Sequence, residues 1–533
     1  IMKMIDIAVV GGGPGGLAAA VAAKLARPKL RVAVFERSPA LDPPRGAVLA
    51  VVPNGVKALR AIDPQLCEQV RGLDLGTKGV RFESKDGKVI FEDSESRRAD
   101  RAAHIGPSSV CTWHALRRTL ALRAEEVGVE LVLGRAFEGF EEVEEEGGEE
   151  EGFVKLFFSS SAAASASSAA SASASKEGSE KEEQRARLVV GADGSRSRVR
   201  SQIVREIRKK GGRNGDDDGR GGKGNDDSDR TTDGGGGENN ETDDDDPLFS
   251  GNAAWRGTLS PMPAFWERQE WGWCAFVGDP SDPGSPRVAT YPVPASKLLL
   301  LPPERSGKLK KGGGELEKEG EEKQEELSLV WQVFSRFPAE RLPELSSKLH
   351  YVADTTSSSS SSSSASSSKK KIERALEALG EGWPDFLTKA ITATDPGQIA
   401  EHGIYFREAD EKLPWGLGRV TLVGDAAHLG TPMLGQGSAA AFEDALALGH
   451  ELKKKREKKG DDDNEKEEEE TGQEEVELDA SLLRRYERRR IPRATAIQRA
   501  SVDLYRRQAG GERVDEIGEH LKLGFLEEEF ESL

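Results

Sequence analysis

Cysteine and histidine are scarce in this 533-residue chain. The three cysteines, Cys67, Cys111 and Cys274, are too few and too far apart in sequence to form a disulfide framework. The seven histidines form neither an HExxH motif nor a Cys/His cluster, so no metal site is predicted. These absences exclude a disulfide-stapled extracellular module. They favour a reducing compartment, cytoplasmic by default, with organelle targeting left open.

Long apolar runs are also missing. No stretch approaches the roughly 20 apolar residues that cross a bilayer, so no transmembrane segment is predicted. The chain begins at Ile1 and its first predicted strand follows within five residues, so we expect any targeting segment to lie outside this sequence. The basic stretch 482–507 is interrupted by apolar residues and predicts a surface helix, not a nucleic-acid partner.

Five segments lack the apolar content to pack a core: residues 141–186, 205–247, 305–326, 355–371 and 453–475. We predict disordered surface insertions there, because loop length costs little closure entropy; docking or phosphorylation tails are the alternative. The acidic parts of these segments carry as much net negative charge as the whole chain, −18. The remaining sequence is near neutral, so its acidic pI indicates little about substrate or partner.

A glycine-rich turn lies between a predicted strand and a predicted helix near the start of the chain. Residues 5–10 (IDIAVV) are a β-branched apolar run, residues 11–16 read GGGPGG, and an alanine-rich helix follows. A helix N-terminus directly after a strand presents unpaired amides and a partial positive charge to a pyrophosphate. This context predicts a dinucleotide site.

Each glycine of this turn has a separate expected role. Gly11 permits the turn, Gly13 lets the backbone approach the phosphates, and Gly16 lets the helix pack on the strand. A second predicted strand, residues 31–35, ends at Glu36, at the spacing of an acid that binds adenosine ribose hydroxyls. An acid there favours FAD or NAD over NADP.

A second glycine-bearing loop distinguishes FAD from NAD. Residues 420–423 (VTLV) predict a short buried strand that ends at Gly424 and Asp425. An aspartate at such a strand end can accept hydrogen bonds from a polyol, and the ribityl chain of a flavin is a polyol. The helix start at residues 434–437 offers amides to a reduced flavin ring. Taken alone, the loop is an ordinary strand-to-helix connection.

With a third segment, LVVGADGSRSRVR ending at residue 200, the chain resembles the class A flavin monooxygenases. These have the p-hydroxybenzoate hydroxylase fold and include salicylate hydroxylases and zeaxanthin epoxidases. The matching motifs are GxGxxG, the DG motif in VVGADGxxSxVR, and the GD motif in GDAAHxxxPxxGQG. Further similarity covers residues 43–62, 289–294 and 486–501. The resemblance implies FAD as the cofactor.

The resemblance also implies the residues that bind FAD. The adenosine diphosphate half would contact Gly11, Gly13, Pro14, Gly15, Gly16, Glu36 and Arg37. The ribityl chain and flavin ring would contact Arg45, Asp425, Pro432, Gly435, Gln436 and Gly437. Asp193 belongs to the DG motif, for which a structural role is the alternative to direct contact.

Two positions depart from the family pattern. Trp113 stands where an arginine usually opens its helix, so Arg117 or Arg118 would replace the flavin contact of that arginine. Met433 stands where asparagine is common.

His428 invites a catalytic role, but a structural role in shaping the loop explains it equally well, and the catalytic residues stay unassigned.

Only one GxGxxG unit is present, so the sequence predicts no second nucleotide fold for a reductant. The resemblance implies that NADPH or NADH binds transiently and reduces the flavin, and that O2 forms a hydroperoxide at its 4a carbon. That species would hydroxylate a small aromatic substrate or epoxidise an isoprenoid. A same-fold reductase or dehydrogenase without oxygen chemistry and a non-catalytic FAD-binding scaffold are the alternatives.

The predicted fold is α/β: a Rossmann-like FAD-binding domain and a mixed β-sheet substrate domain. We assign residues 1–80, 111–204 and 411–510 to the first, 81–110 and 248–410 to the second, and 511–533 to a tail. Four aromatic, alternating segments predict substrate-domain strands: AAWRGTL, EWGWCAFVGD, RVATYPVP and LSLVWQVF. Their side chains either line a pocket or form plain core: Trp255, Arg256, Trp271, Trp273, Tyr291 and Trp331.

Overall fold

The structure is a computed structural model. It describes residues 4–41, 47–76, 80–144, 152–160, 182–212, 245–266, 273–278, 285–294, 297, 326–345, 363–454 and 477–509. Within those ranges, no helix combines the length and the apolar character that crossing a membrane requires.

Strands and helices alternate along the FAD-motif segments, while strands dominate the middle of the chain. The strands are β1 (Ile5–Val10), β2 (Val32–Glu36), β3 (Val48–Val51), β4 (Val80–Ser84), β5 (Val89–Asp93), β6 (Ser109–Thr112), β7 (Glu130–Leu133), β8 (Arg135–Val143), β9 (Phe153–Ser160), β10 (Glu182–Gly191), β11 (Leu248–Leu259), β12 (Trp273–Val277), β13 (Arg287–Pro294), β14 (Leu327–Arg336), β15 (Ala400–Phe406) and β16 (Val420–Leu422). The helices are α1 (Pro14–Ala26), α2 (Pro53–Ile62), α3 (Pro64–Gly72), α4 (Glu95–Ile105), α5 (Trp113–Glu126), α6 (Arg198–Gly212), α7 (Ser363–Leu379), α8 (Asp385–Ala393), α9 (Asp425–His428), α10 (Gly437–Lys453) and α11 (Ala480–Ala509).

The first sheet has the order β7-β2-β1-β10-β9-β8, and β16 also pairs with β10. Strands β7, β2, β1, β10 and β16 run parallel, whereas β9 pairs antiparallel with both β10 and β8. Its central strands are continuous apolar runs because both faces are covered. The parallel strands end at one edge, where β1 runs into the glycine turn and β16 into Gly424. This edge is where ligands bind in open α/β sheets.

The second sheet has the order β15-β11-β14-β13-β12-β4-β5 and is largely antiparallel. Alternate residues of its central strands point to opposite faces of the sheet, and the two faces pack against different parts of the protein. One face carries Trp255, Trp331 and Val333, which form a core with residues of α7 and α8 such as Leu379 and Phe386. The opposite face carries Tyr291, Val293 and Val330, which pack instead with Leu75 and Val110.

A two-stranded ribbon of β3 and β6 lies between the two sheets. The Gln332 amide of β14 donates to the Val48 carbonyl of β3 at 3.4 Å. Strand β3 continues into α2, and β6 into α5, where the Thr112 hydroxyl caps the helix by accepting from the Ala115 amide. The ribbon therefore joins the second sheet to helices that pack around the first.

The strands predicted at residues 5–10 and 420–423, the four predicted substrate-domain strands and the helix over 482–507 are confirmed. The fold class is confirmed at the level of an α/β structure with two sheets.

Several boundaries were wrong. The predicted insert 141–186 contains strand β9, whose Phe153, Val154, Leu156 and Phe158 are buried in the first sheet. Helix α6 continues to Gly212 inside the predicted insert 205–247, and α7 begins at Ser363 inside the predicted insert 355–371. Helix α4 lies where residues 81–110 were expected to form strands only. Charge and serine content masked short apolar patterns at these segment ends. Most of the other predicted inserts and the tail lie outside the described residues.

Candidate functional site

The glycine turn packs closely against the segment that carries the DG motif. Gly11 has φ +113°, a conformation that favours glycine, and its amide donates to the Phe35 carbonyl at 2.8 Å. A Cβ added at Gly11 would lie 2.3 Å from the Ala192 oxygen. At Gly16 a Cβ would lie 2.1 Å from the Gly11 oxygen, so helix α1 packs directly on the turn. Both glycines are therefore required by packing within the protein.

Gly13 differs from its neighbours because a Cβ added there would have no protein atom within 4 Å. It is the N-cap of α1 and has an ordinary extended conformation, with φ −74° and ψ 172°. Pro14 occupies the first helical position, where its missing N–H costs nothing. The first turn of α1 therefore presents its backbone amides on a face that carries no side chain at Gly13.

Glu36 is the last residue of β2 and lies beside the glycine turn. Its carboxylate accepts from the Gly12 amide at 2.8 Å, the Ser38 amide at 2.9 Å and Arg117 Nη2 at 3.1 Å. Arg117 Nε also donates to the Gly12 carbonyl at 2.8 Å. Arg117 therefore contacts the Glu36 end of the site, whereas the sequence predicted a flavin contact from Arg117 or Arg118. Arg37 is exposed beside it, and Arg45 lies outside the described residues.

Asp193 of the DG motif caps a helix. Its carboxylate accepts from the Ser197 hydroxyl at 2.5 Å and from the amides of Arg198 and Val199 at 2.7 and 3.3 Å. Its contacts within the described residues are thus with the start of α6. This geometry favours the structural role over direct cofactor contact.

The second glycine-bearing loop presents one carboxylate. Gly424 has φ +61° and precedes Asp425, the first residue of α9. Residues on both sides of Asp425 are buried, but its side chain is exposed and has no hydrogen-bond partner among the described residues. A Cβ at Gly437, the first residue of α10, would lie 3.9 Å from Asp425 Oδ1. The loop therefore places a free carboxylate beside the start of α10.

The turn before α10 exposes its backbone. Pro432 begins a 3-10 turn, and Gly435 closes it in the left-handed conformation at φ +58°. Pro432, Gly435 and Gly437 are exposed, whereas Gln436 is buried. The Gln436 side chain accepts from Asn54 Nδ2 at 2.9 Å, so its backbone, and not its side chain, faces the site.

Close packing of α1 against α10 brings the two glycine loops together. A Cβ at Gly15 would lie 3.1 Å from Ala441 Cβ and 4.0 Å from Gly424 Cα, and one at Gly449 would lie 3.2 Å from Ala22 Cβ. Two helices can approach this closely only where side chains are small. The glycine turn, Asp425 and the start of α10 consequently share one edge of the first sheet.

A buried network of charges supports this edge from behind. Asp444 accepts from the Gly424 amide at 2.8 Å and Arg490 Nε at 2.8 Å, and its Oδ2 lies 2.7 Å from His428 Nε2. Glu443 accepts from Arg490 at 2.9 Å and from Asn54 at 2.7 Å. The network thereby ties Gly424 and the turn at Gln436 to α2, α10 and α11.

The charges of this network set the protonation of its acids. Burial alone would raise the pKa of Asp444, but His428, Arg490 and the Gly424 amide lower it to about 2. The pKa of Glu443 is lowered in the same way by Arg490 and Arg493, against the effect of burial. Because His428 is buried and bonded to Asp444, the geometry favours its structural role.

Sequence reasoning missed this network, although a signal existed. Glu443 and Asp444 interrupt an otherwise alanine- and leucine-rich helix, and acids within an apolar helix are buried only when paired. Arg490 lies 46 residues further on, so its partner could not be read from local spacing.

A second missed cluster lies beside His428. Arg200 of α6 binds Asp245 through Nε at 2.9 Å and donates to the Ala427 carbonyl at 3.1 Å. Arg407, just after β15, donates to the Asp245 carbonyl at 3.0 Å, and burial together with the charge of Arg200 lowers its pKa to about 10. This cluster fixes the outer side of the loop that carries Asp425.

Glu487 of α11 gives a pH-dependent contact to β16. It is 4% exposed, lies 2.8 Å from Arg484 Nη2 and accepts from the Thr421 hydroxyl at 2.6 Å. Burial raises its pKa to about 7, against the opposing effect of Arg484 and Thr421. Its folded-state pKa is therefore above the unfolded value of 4.5, so deprotonation opposes folding.

We expect the unfolding free energy of the wild type to fall as pH rises from about 4.5 to about 7, and Glu487→Gln to remove this decline. Glutamine keeps an acceptor for Thr421, so at pH 8 the variant should be more stable by up to about 3 kcal/mol. Urea unfolding across this pH range measures the effect. Glu411→Gln, at an exposed pair with Arg499, is the control and should keep the wild-type profile. Parallel profiles for Glu487→Gln and wild type would refute the prediction.

The alternation of side chains along the strands places the residues considered as pocket lining on opposite faces of the second sheet. Trp255 and Trp331 face the core beneath α7 and α8, as the plain-core alternative predicted. Arg256 and Tyr291 lie on the opposite face, toward the β3–β6 ribbon. Trp271 and the side chain of Trp273 lie outside what the structure describes.

Within the described part of the chain, no three His, Cys, Asp or Glu side chains gather as a metal site would require.

The sequence comparisons match an FAD binding domain and FAD-dependent monooxygenases over part of the chain. Residues 362–470 match the family model described as an FAD binding domain. A Bacillus subtilis protein named as an FAD-dependent monooxygenase, YetM, is 34% identical over 131 residues, which are 24% of this chain and 28% of that protein. The chloroplastic zeaxanthin epoxidase of Oryza sativa subsp. japonica is 39% identical over 128 residues, or 24% of this chain and 17% of the epoxidase. The chain thus matches less than a third of the length of either relative.

Among solved structures, a variant of Klebsiella pneumoniae HpxO complexed with FAD aligns at a TM-score of 0.57 and 19% identity. The alignment covers 98% of this chain and 95% of that one. At this identity the likeness shows the fold, and it extends over both sheets.

Proposed function

Because this chain is a relative of the FAD-dependent monooxygenases, we propose that it binds FAD and uses NADPH or NADH with O2 to oxygenate a small molecule. One observation carries the proposal: the open N-terminus of α1 and the carboxylate of Asp425, which has no hydrogen-bond partner among the described residues, share one edge of the first sheet. Amides at one end and a carboxylate at the other match a ligand that carries both a pyrophosphate and a polyol.

The donor set fits FAD along its length. Amides at the start of α1, from Gly13 to Gly16, would hold the pyrophosphate. Among the described residues the Glu36 carboxylate has three donors, and a carboxylate can accept about four hydrogen bonds, so it would have capacity for one ribose hydroxyl. Asp425 would hold the ribityl chain, and the exposed backbone of Gly435 and Gly437 would border the ring.

Bound FAD supplies the redox chemistry, with NAD(P)H as the electron source and O2 as the oxygen donor. The chain's own residues bind, orient and exclude water. The amides at the start of α10 stabilise negative charge beside them through the helix dipole.

The test measures three quantities on one preparation. The purified protein is loaded with FAD, and its visible spectrum and dissociation constant are recorded. NADH and NADPH oxidation and O2 uptake are then followed with and without phenols, quinones and isoprenoids, and products are identified by mass spectrometry. A reaction that reduces the substrate without O2 uptake would favour a same-fold reductase. Flavin that NAD(P)H cannot reduce would favour a non-catalytic scaffold.

We expect Asp425→Ala to weaken FAD binding by about tenfold to a hundredfold, because a charge-assisted hydrogen bond is lost. Titration of the apoprotein with FAD, followed by quenching of flavin fluorescence, measures the change. Asp503→Asn on the exposed face of α11 is the matched control and should bind FAD like the wild type. Equal affinities of Asp425→Ala and wild type would remove Asp425 from the site.

A further inference from the structure

A buried arginine lies where the second sheet meets the loop that carries Asp425. Arg407 directly follows the last residue of β15 and is 6% exposed. Its backbone amide donates to the Leu429 carbonyl at 3.0 Å. The Gln498 side chain donates to the carbonyls of Arg407 and Leu429 at 3.1 and 3.0 Å. The backbone of Arg407 is therefore fixed to this loop four residues beyond Asp425.

The guanidinium of Arg407 is only partly paired. Its Nε donates to the Asp245 carbonyl at 3.0 Å and lies 4.0 Å from the Asp245 carboxylate, whereas Arg200 holds that carboxylate at 2.9 Å. Nη1 of Arg407 is buried and has no hydrogen bond among the described residues. Two arginines thus share one buried carboxylate, which leaves an excess of positive charge behind the loop. Such a charge is costly to bury, so it indicates a role beyond packing.

Arg407 stays charged at neutral pH. Burial first, and then the charge of Arg200, lower its pKa to about 10. The carboxylates of Asp245, Asp246 and Asp425 act in the opposite direction. Asp246 is exposed, so solvent screens its charge. Below the pKa of Arg407, a positive charge therefore acts on Asp425 from the side of the second sheet.

The protonation of Asp425 depends on such a charge. Although its side chain is exposed, the protein atoms around it raise its pKa, and His428 and Arg407 act in the opposite direction. His428 is bonded to the Asp444 carboxylate at 2.7 Å, so its charge is balanced at close range. Bound FAD would remove further water from Asp425, and loss of water favours the neutral form of a carboxyl group.

Charged groups on the neighbouring elements are paired with one another. The pairs are Arg200 of α6 with Asp245 before β11, Arg490 of α11 with Glu443 and Asp444 of α10, Arg117 of α5 with Glu36 beside the glycine turn, and the exposed Arg506 with Glu408. Arg407 is thus the buried cation near Asp425 whose charge no carboxylate balances at close range.

We propose that Arg407 is a positioning residue of the FAD site: it anchors the loop at Leu429 and supplies the positive charge that keeps the Asp425 carboxylate ionised when FAD covers it. This inference depends on the proposed function, since it concerns how Asp425 accepts hydrogen bonds from the ribityl chain. An ionised carboxylate accepts such bonds more strongly than a neutral acid does. FAD affinity should therefore fall where Asp425 takes up a proton, and Arg407 should set the pH at which this happens.

The dissociation constant of FAD, measured between about pH 5 and about pH 9, tests the proposal. FAD-loaded protein is diluted at each pH, and the flavin fluorescence of the released FAD is followed. We expect the affinity of the wild type to fall toward the acidic end of the range. Arg407→Met should move this fall to higher pH by about one unit or more, because loss of the positive charge raises the pKa of Asp425. Within the acidic part of the profile, one unit corresponds to about a tenfold loss of affinity.

Three further variants separate the charge of Arg407 from its support of the fold. Arg407→Gln is a second neutral variant that keeps an amide donor, and it should show the same shift. Arg407→Lys keeps the charge and should keep the wild-type profile. Arg506→Met removes an exposed arginine that pairs with Glu408, next to Arg407, and it should also keep the wild-type profile.

The Asp425→Asn background shows whether Arg407 acts through Asp425. An amide cannot take up the proton, so Arg407→Met should leave the pH profile of Asp425→Asn unchanged. The backbone contacts of residue 407 with Leu429 remain in every variant. A merely structural role of the guanidinium would instead lower FAD affinity by the same factor at every pH, with either residue at position 425.

The proposal is overturned if neither neutral variant shifts the pH profile, if Arg407→Lys shifts it as far as they do, or if the shift persists in the Asp425→Asn background. A uniform loss of affinity across the pH range also overturns it. In each of these cases a wild type that binds FAD leaves the proposed function intact. A wild type that binds no FAD at any pH would reject the proposed function itself.

Discussion

Gly13→Val is expected to fold normally and to lose FAD. The affinity of the apoprotein for FAD should fall at least about a hundredfold, which corresponds to about 3 kcal/mol. The urea midpoint of the apoprotein should stay at the wild-type value. Both results together would show that Gly13 serves a ligand and not the protein's own packing.

The reason lies in the different surroundings of the glycines of one turn. A Cβ at Gly13 meets no protein atom within 4 Å and requires no change of backbone, because φ is −74°. It would instead occupy the space in which the start of α1 approaches the pyrophosphate. At Gly16 a side chain would collide with the Gly11 oxygen at 2.1 Å, so Gly16→Val should destabilise the apoprotein itself.

Flavin fluorescence titration and urea unfolding of the apoprotein measure the two effects. Gly72→Ala is the matched control, because a Cβ at Gly72 in α3 also meets no protein atom and its φ is ordinary. It should change neither quantity. Retention of FAD by Gly13→Val at wild-type affinity would contradict a pyrophosphate site at this helix.

The first sheet could be predicted from sequence because its signals are local. The run IDIAVV, the glycines that follow and the helix after them are contiguous, so periodicity and turn chemistry were sufficient for β1 and α1. The same holds for β16 and α10. In the second sheet, alternation predicted β11 to β14, yet sequence alone could not tell which face would be covered by α7 and α8. For this reason the choice between pocket lining and plain core stayed open for Trp255 and Trp331 until the covered face was known.

The support behind the site could not be predicted, because it depends on pairs distant in sequence. Asn54 meets Glu443 across 389 residues, and Arg200 meets the Ala427 carbonyl across 227. Such pairs become visible only once α2, α6, α10 and α11 are placed. Single-sequence patterns predicted the glycine turn and the loop at Gly424, but not which charges hold that backbone in place.

Arg490→Met is expected to have the largest effect on stability. Arg490 is fully buried and binds Asp444 at 2.8 Å and Glu443 at 2.9 Å. Methionine fills much of the same volume but leaves Asp444 without its only arginine among the described residues. Removing one partner of a buried charge pair costs about 3–5 kcal/mol of unfolding free energy. Urea unfolding of the apoprotein at pH 7 measures it.

The pH dependence separates lost charge pairing from lost packing. The folded pKa of Asp444 is about 2, below its ordinary value of 3.8, so its ionised form stabilises the fold above pH 4. That contribution is lost as pH falls from about 4 to about 2. In Arg490→Met the pKa of Asp444 should rise, and stability should decline less steeply across this window. A variant whose curve merely runs parallel below that of the wild type would indicate lost packing alone.

Arg488→Met is the control for this substitution, because Arg488 is exposed on the same helix two residues away. Exposed charges contribute about 0–1 kcal/mol, so its stability should match the wild type. Because Asp444 also holds the Gly424 amide at 2.8 Å, Arg490→Met should loosen FAD as well as the fold. If Arg490→Met lost stability but bound FAD with unchanged affinity, the charge network would support the helices without positioning the loop that carries Asp425.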